Sequence, residues 1–341
     1  MTTITDADEL LGESPRMLAV RDQLRHLVAR PQAGRRLPSI LIQGETGTGK
    51  GLLARLIHRH GPRAGGPFVD VNCAAIPDAL LEAELFGYER GAFTDARRGK
   101  PGLLQTAHRG TLFLDEIGLM PLALQAKLLT AIEEQSVRRL GSTTSEPVDV
   151  WIVSAANTDL RAAVRARTFR EDLYHRLAVL TLSLPPLRDR GRDIVLLAEL
   201  FLTRACSDYG LPPKRLAADA QARLLAHSWP GNVRELANMA ERVALLVEDD
   251  VVRGDALNLP PDPGSPPIDA TGGATSPASL DDTMREHLRA ALTQTGWNIT
   301  RTAVSLGISR NTLRARIRKY GLQDNGPAAP VPAAGAAGDR P

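Results

Sequence analysis

Residues 44–50 read GETGTGK, and this heptapeptide constrains the chain more than any other segment. It follows the apolar run SILIQG (39–44) and precedes a helical pattern of Leu52, Leu53, Leu56 and Ile57. A strand that turns through glycines into a helix gathers backbone N–H groups and a helix N-terminus at one point, where phosphate oxygens bind. Gly44, Gly47 and Gly49 let the backbone approach an anion, with Glu45, Thr46 and Thr48 between them. Lys50 reaches the outer phosphates as a point charge. The eighth position of such a loop is ordinarily Ser or Thr, and here it is Gly51. The hydroxyl that would touch magnesium is absent, so the ion must be held by other residues or by water.

The other half of such a site is a strand ending in carboxylates, and TLFLDE (111–116) supplies it. Asp115 would hold Mg2+, and Glu116 would orient and polarise the attacking water. Read singly, the first motif is a glycine turn and the second a strand terminus; together they predict a nucleoside triphosphatase. PFVDVN (67–72) and VDVWIVSAAN (148–157) are two further apolar runs. Such runs alternating with helical patterns predict an α/β fold, a parallel sheet wrapped by helices. From about 186 to 257 the strand-like runs stop and helical periodicity continues, which predicts a helical subdomain.

Proline and glycine dominate LPPDPGSPPIDATGGATSPAS (259–279), which reads as a linker, and an Ala/Pro/Gly-rich tail occupies 323–341. About forty residues lie between them. Charge sets this module apart: residues 285–320 hold eight Arg and Lys against Glu286 alone, in a chain of net charge +3. A compact basic end on a neutral-to-acidic body is a footprint for a polyanion, and a solvated helix face is the alternative. Cys73 and Cys206 are the only cysteines, which excludes a disulfide framework. No run of eighteen apolar residues and no basic-then-apolar leader is present, so a cytoplasmic protein without membrane attachment is expected.

Between the two nucleotide half-sites runs ELFGYERGAFTDA (84–96). With LLGESPRM (10–17), VNCAAIPDALLEAELFG (71–87), FREDLYHRL (169–177), LPPLRDRGRDI (184–194) and HSWPGNVRELAN (227–238), it resembles the sigma-54-dependent transcriptional activators, bacterial enhancer-binding proteins of the AAA+ class. The resemblance implies an AAA+ P-loop ATPase subdomain over 8–185, a helical lid over 186–258 and a small all-α helix-turn-helix domain of Fis type over 280–322. It implies that Asn157 senses the γ-phosphate, that Asn72 pairs with Glu116 and switches it, and that Arg234 is a second sensor on the lid. Arg170 and Arg176 match arginines donated across a subunit interface, which implies a homo-oligomer, dimers assembling into a hexameric ring. Gly91, Ala92, Phe93, Thr94, Asp95 and Ala96 occupy the loop that grips sigma-54, with Phe93 and Thr94 at its tip. The family pattern GAFTGA has glycine where this chain has Asp95, a residue that tolerates turn geometry.

NITRTAVSLGISRNTLRARIRKYGL (298–322) reads as helix, turn at Gly307, helix, with Ile299, Ala303, Val304, Leu313, Ile317 and Tyr320 facing inward. Ser309 is a fitting N-cap, leaving Arg310, Asn311, Thr312 and Arg314 near the start of a recognition helix, while Arg316, Arg318 and Lys319 meet phosphate. The function expected is activation of transcription. The protein binds upstream, enhancer-like sites on double-stranded DNA and uses ATP hydrolysis to remodel the closed complex of sigma-54 RNA polymerase towards the open one. With little chain before the ATPase motifs, no N-terminal regulatory domain is expected, and control would come from a separate trans-acting regulator protein or from expression level. Two alternatives stand beside this reading: an AAA+ DNA-binding regulator independent of sigma-54 because of Asp95, and an architectural DNA-binding protein whose nucleotide site is only structural.

Overall fold

Five parallel strands carry the unit Met1–Gly264, and a second unit spans Ser265–Pro341. The computed structural model describes residues 10–29, 37–93 and 98–259, with Leu292, Trp297, Ile299, Thr302 and Ile317 beyond them. In α1 (Pro15–Ala29), Met17, Val20, Leu24 and Leu27 recur at helical spacing and are buried. β1 (Ile40–Gln43) runs into the glycine loop, and α2 (Lys50–His60) leaves it with Leu53, Ala54, Leu56 and Ile57 on its inward face. β2 (Phe68–Asn72) and α3 (Asp78–Phe86) follow. A short antiparallel pair, β3 (Gly87–Tyr88) with β4 (Lys100–Pro101), forms the base of the 84–96 segment. Next come α4 (Leu103–Thr106), β5 (Thr111–Asp115) and α5 (Leu122–Glu134). A second hairpin pairs β6 (Ser136–Arg138) with β7 (Ser145–Pro147). β8 (Trp151–Ala156), α6 (Leu160–Arg165), α7 (Glu171–Leu177) and β9 (Leu180–Ser183) complete the α/β part.

The sheet order is β2-β5-β8-β1-β9, every pair parallel. All six residues of β8 are buried, as in a strand covered by helices on both faces. Alternation along β5 sends Leu112 and Leu114 into one core, with Leu81, Leu85, Leu124 and Leu128, and Phe113 into the other, with Met17, Leu53 and Trp151. Gln43 is level with Ala156 and Ser183, and Asn72 with Asp115, so all five carboxyl ends lie along one edge. That edge is where open α/β sheets bind ligands. Four of the five strands coincide with the apolar runs of the sequence. The fifth, β9, was not among them: only Leu182 of its four residues is buried, so it leaves no apolar run to read.

Past β9 the chain forms α8 (Asp193–Asp208), α9 (Ala218–Ala226) and α10 (Asn232–Leu246) around a third core of Leu197, Leu202, Trp229, Leu236, Met239 and Val243. The expectation that strands end by 186 needs one correction. β10 (Arg215–Leu216) and β11 (Val251–Val252) form a two-residue parallel pair, too short to carry a hydrophobic period. Among the described residues, no helix is long and apolar enough to cross a membrane. In the second unit, Leu292 and Thr302 are buried residues in helical conformation.

Candidate nucleotide site

The glycine loop leaves β1 at the carboxyl edge and is already curved for an anion. Gly47 and Gly49 have φ of 80° and 104°, and a Cβ at Gly47 would lie 2.3 Å from the Gly231 carbonyl oxygen. The Thr48 hydroxyl donates to the Glu45 carbonyl at 2.7 Å. Lys50 is 6% exposed, and its Nζ donates to the carbonyls of Gly44 and Glu45 at 2.9 and 3.2 Å. Burial pushes the Lys50 pKa down, opposed by the carboxylates of Glu116 and Asp115. A Cβ on Gly51 would meet nothing closer than Phe113 at 3.9 Å, so the missing hydroxyl leaves open space. A cleft of about 340 Å³ beside the loop is lined by Gly44, Glu45, Asn157, Thr158, Leu184 and Pro186.

Asp115 ends β5 opposite Asn72, and its Oδ1 accepts the Glu116 N–H at 3.0 Å. Glu116 sits in the left-handed region at φ 53°, an arrangement that non-glycine residues adopt at a cost and that clusters at functional sites. Its Oε2 is buried without a hydrogen-bond partner. Burial raises the Glu116 pKa, Lys50 opposes the rise and Asp115 adds to it. An orphaned carboxylate oxygen beside a lysine is a place for a water or a phosphate-bound cation. The Asn157 amide donates to Thr46 Oγ1 at 3.2 Å, tying the end of β8 to the loop. The expected pairing of Asn72 with Glu116 is not made at that free oxygen. Asn72 Oδ1 instead accepts the Ala74 N–H at 2.9 Å, the local turn bond a short amide side chain favours.

Arg234 stands on α10 with its backbone N–H donating to the Gly47 carbonyl at 3.3 Å. Its guanidinium is close enough to Lys50 and Glu116 to influence both. Arg170 and Arg176 are not brought to this cleft. Arg170 is exposed at the start of α7, its Nη2 paired with Asp172 at 2.7 Å. Arg176 lines a separate cavity of about 300 Å³ with Pro38, Arg63, Asp149 and Trp151, at the amino ends of β1 and β8. Neither arginine is among the residues that line the cleft beside the loop.

Three residues of the site escaped the sequence reading. Arg188 makes a bidentate pair with Glu45, at 2.9 and 2.5 Å. The buried Arg190 donates to the carbonyls of Thr48 and Pro185, both at 2.9 Å, and burial lowers its pKa to about 10. Asn232, fully buried, bonds Leu187, Glu45 and Thr46. The one available signal was the density of polar residues in LRDRGRD and PGNVRE, flanking apolar helices.

At the loop base the Phe93 ring lies 4.8 Å from Tyr88, and Phe93 is 45% exposed. Ala92 packs against Gly141 of the second hairpin's turn, and Gly91 has φ 84°. Thr94, Asp95 and Ala96 lie outside the described residues, as do Arg310, Asn311, Thr312, Arg314, Arg316, Arg318 and Lys319, and Ser309 before them.

Residues 10–183 match the family described as Sigma-54 interaction domain. The chain belongs to that family. Residues 188–264 match the AAA+ ATPase lid domain, and 279–320 the Bacterial regulatory protein, Fis family. The response regulator protein PilR of Pseudomonas aeruginosa is 47% identical, over 92% of this chain and 70% of that protein. The regulatory protein AtoC of Escherichia coli is 44% identical, over 92% and 68%. Of solved structures, NtrX from Brucella abortus in complex with ATP aligns with a TM-score of 0.68 at 36% identity, covering 92% of this chain and 69% of that one. This sigma-54 interaction domain protein is thus an AAA+ ATPase with a lid and a Fis-type helix-turn-helix, a DNA-binding regulator of transcription that binds nucleotide.

Proposed function

We propose that this ATPase activates transcription from sigma-54 promoters, binding upstream DNA through 280–322 and working the 84–96 loop against sigma-54 RNA polymerase. The observation that carries the reading is the composite character of the site. Lys50, Asp115, Glu116, Asn157 and Arg234 converge at one edge, while Arg170 pairs with Asp172 on the exposed surface and Arg176 lines a separate cavity. A guanidinium supplied from a neighbouring subunit completes such a site, and a head-to-tail contact that closes makes a ring, here a hexamer built from dimers.

The residues fit ATP with Mg2+. Lys50 is held by two loop carbonyls that a phosphate would replace, and Asp115 offers a carboxylate close enough to Lys50 to act on it. Magnesium is commonly bound by one or two carboxylates plus substrate phosphates, and it would neutralise charge on the β- and γ-oxygens. Glu116 orients the attacking water and takes its proton. Asn157 and Arg234 report the γ-phosphate to the sheet and the lid. Hydrolysis then changes which loop conformation is favoured, and the polymerase feels the difference. The domain boundaries that serve this scheme are 8–185, 186–258, a linker 259–279, 280–322 and a tail 323–341. The protein acts in the cytoplasm, where its DNA is.

Binding of the purified chain to sigma-54, with and without an ATP transition-state analogue, tests this. Binding that requires the analogue supports the proposal. Tight DNA binding and ATP turnover with no sigma-54 binding in either state favours a regulator independent of sigma-54.

A further inference from the structure

The lid does not simply lie over the phosphate loop; one side chain joins it to the loop and to the connecting segment at once. Asn232 is 0% exposed and holds φ at 52°, a conformation that asparagine tolerates better than most residues. Its Oδ1 accepts the Leu187 N–H at 2.8 Å, and its Nδ2 donates to the Thr46 carbonyl at 3.0 Å and to Glu45 Oε2 at 3.1 Å. The carboxylate that takes this last bond also takes two bonds from Arg188. Three stretches distant in sequence (45–46, 187–188 and 232) thus meet at one amide, at the first residue of α10, two residues before Arg234.

We propose that Asn232 is a positioning residue for the ATPase reaction. Through Glu45 and Thr46 it fixes the lid on the phosphate loop, and thereby sets both the loop's curvature and the reach of Arg234 over the γ-phosphate. A buried amide with both ends bonded holds one geometry, because every alternative leaves a buried donor or acceptor unpaired. The Glu45–Arg188 pair reinforces the joint from the solvent side, where an ion pair alone contributes little. The inference rests on the nucleotide site and is independent of the sigma-54 reading; failure of the parent chain to bind ADP would remove the site itself.

The test is a pair of substitutions on the full chain, read by binding of a fluorescent ADP analogue and by steady-state ATP turnover. Asn232→Asp keeps the acceptor for Leu187, removes the donor to Thr46 and sets a carboxylate against Glu45. It is expected to raise the Kd and KM about tenfold, with a smaller change in kcat. Adding Glu45→Gln returns a donor to the pair, and the double variant is expected to recover most of that loss, which a general loss of stability would not do. A folded Asn232→Asp chain that binds ADP like the parent overturns the proposal, and so does a double variant no better than the single. Should Asn232→Asp not fold, Glu45→Gln and Arg188→Gln decide. Each weakens ADP binding about threefold and the two together no more than either, since they share one contact; no change in Kd overturns it.

Discussion

Asn72 and Asp115 stand directly opposite each other on neighbouring parallel strands, and Asp115 is one residue upstream of Glu116, whose Oε2 is buried and unbonded. The Asn72 amide is occupied at Oδ1 by its own turn. Two substitutions separate the roles. Glu116→Gln keeps the shape and loses the base: ADP binding is expected to persist while turnover falls roughly 10²–10⁴-fold, the usual worth of a general base. Asn72→Ala leaves Glu116 in place and is expected to keep about a tenth or more of the turnover, while sigma-54 binding loses its dependence on nucleotide state. Phosphate release assays and pull-downs with each nucleotide analogue check both.

Arg170 and Arg176 offer a sharper test, because neither lines the cleft beside its own phosphate loop. Replacing either by Ala is expected to lower kcat about 10³-fold or more, the range for an arginine supplied in trans. Lys50→Ala is expected to be equally inactive. Mixed, the Lys50→Ala and Arg176→Ala chains form some junctions in which an intact loop meets an intact arginine, and turnover should reappear. A mixture as inactive as its components would place the arginine in its own subunit's chemistry.

How much of this was legible in the sequence depended on whether a residue's role repeats along the chain or is met once, through space. GETGTGK and TLFLDE carry their geometry locally: the strand, the turn and the charge are within a few residues of one another. β9 was invisible because it borrows its order from β1, which pairs with it at all four positions, and buries only Leu182 itself. Asn232, Arg188 and Arg190 were missed for the same reason at the level of side chains. Their phosphate-loop partners lie more than 140 positions away, and an asparagine in PGNVRE carries no mark of the glutamate it meets. The arginines in FREDLYHRL were assigned by resemblance alone, and the fold adds what sequence lacked, their surroundings: Asp172 beside Arg170 and a separate cavity beside Arg176.

Cys73 follows β2 and is 3% exposed, with Asp115 and Glu116 nearby. Burial foremost, then the Asp115 carboxylate, pushes its thiol up to about 12. The thiolate is the reactive species, so the folded chain holds this cysteine inert at neutral pH. Iodoacetamide at pH 8 is expected to leave Cys73 unmodified until the protein is unfolded, whereupon it reacts as an ordinary thiol. Mass spectrometry of the tryptic peptides checks this, and rapid labelling of the native chain would contradict the closed packing under the carboxyl edge of β5.

The loop itself poses the last question, because Asp95 stands where the family pattern has glycine. Phe93 rests on Tyr88 yet keeps nearly half its surface in solvent, so the ring is braced from one side and offered on the other. An exposed aromatic held rigid by a neighbour is the kind of anchor that dominates an interface. Phe93→Ala is therefore expected to abolish sigma-54 binding in the presence of an ATP transition-state analogue, with ATP turnover as the control for folding. Aspartate accepts turn geometry at modest cost, so Asp95→Gly is expected to change that binding by no more than about threefold. Binding that appears only after Asp95→Gly would mean that the loop has lost this partner in the present chain, and that the ATPase drives something else.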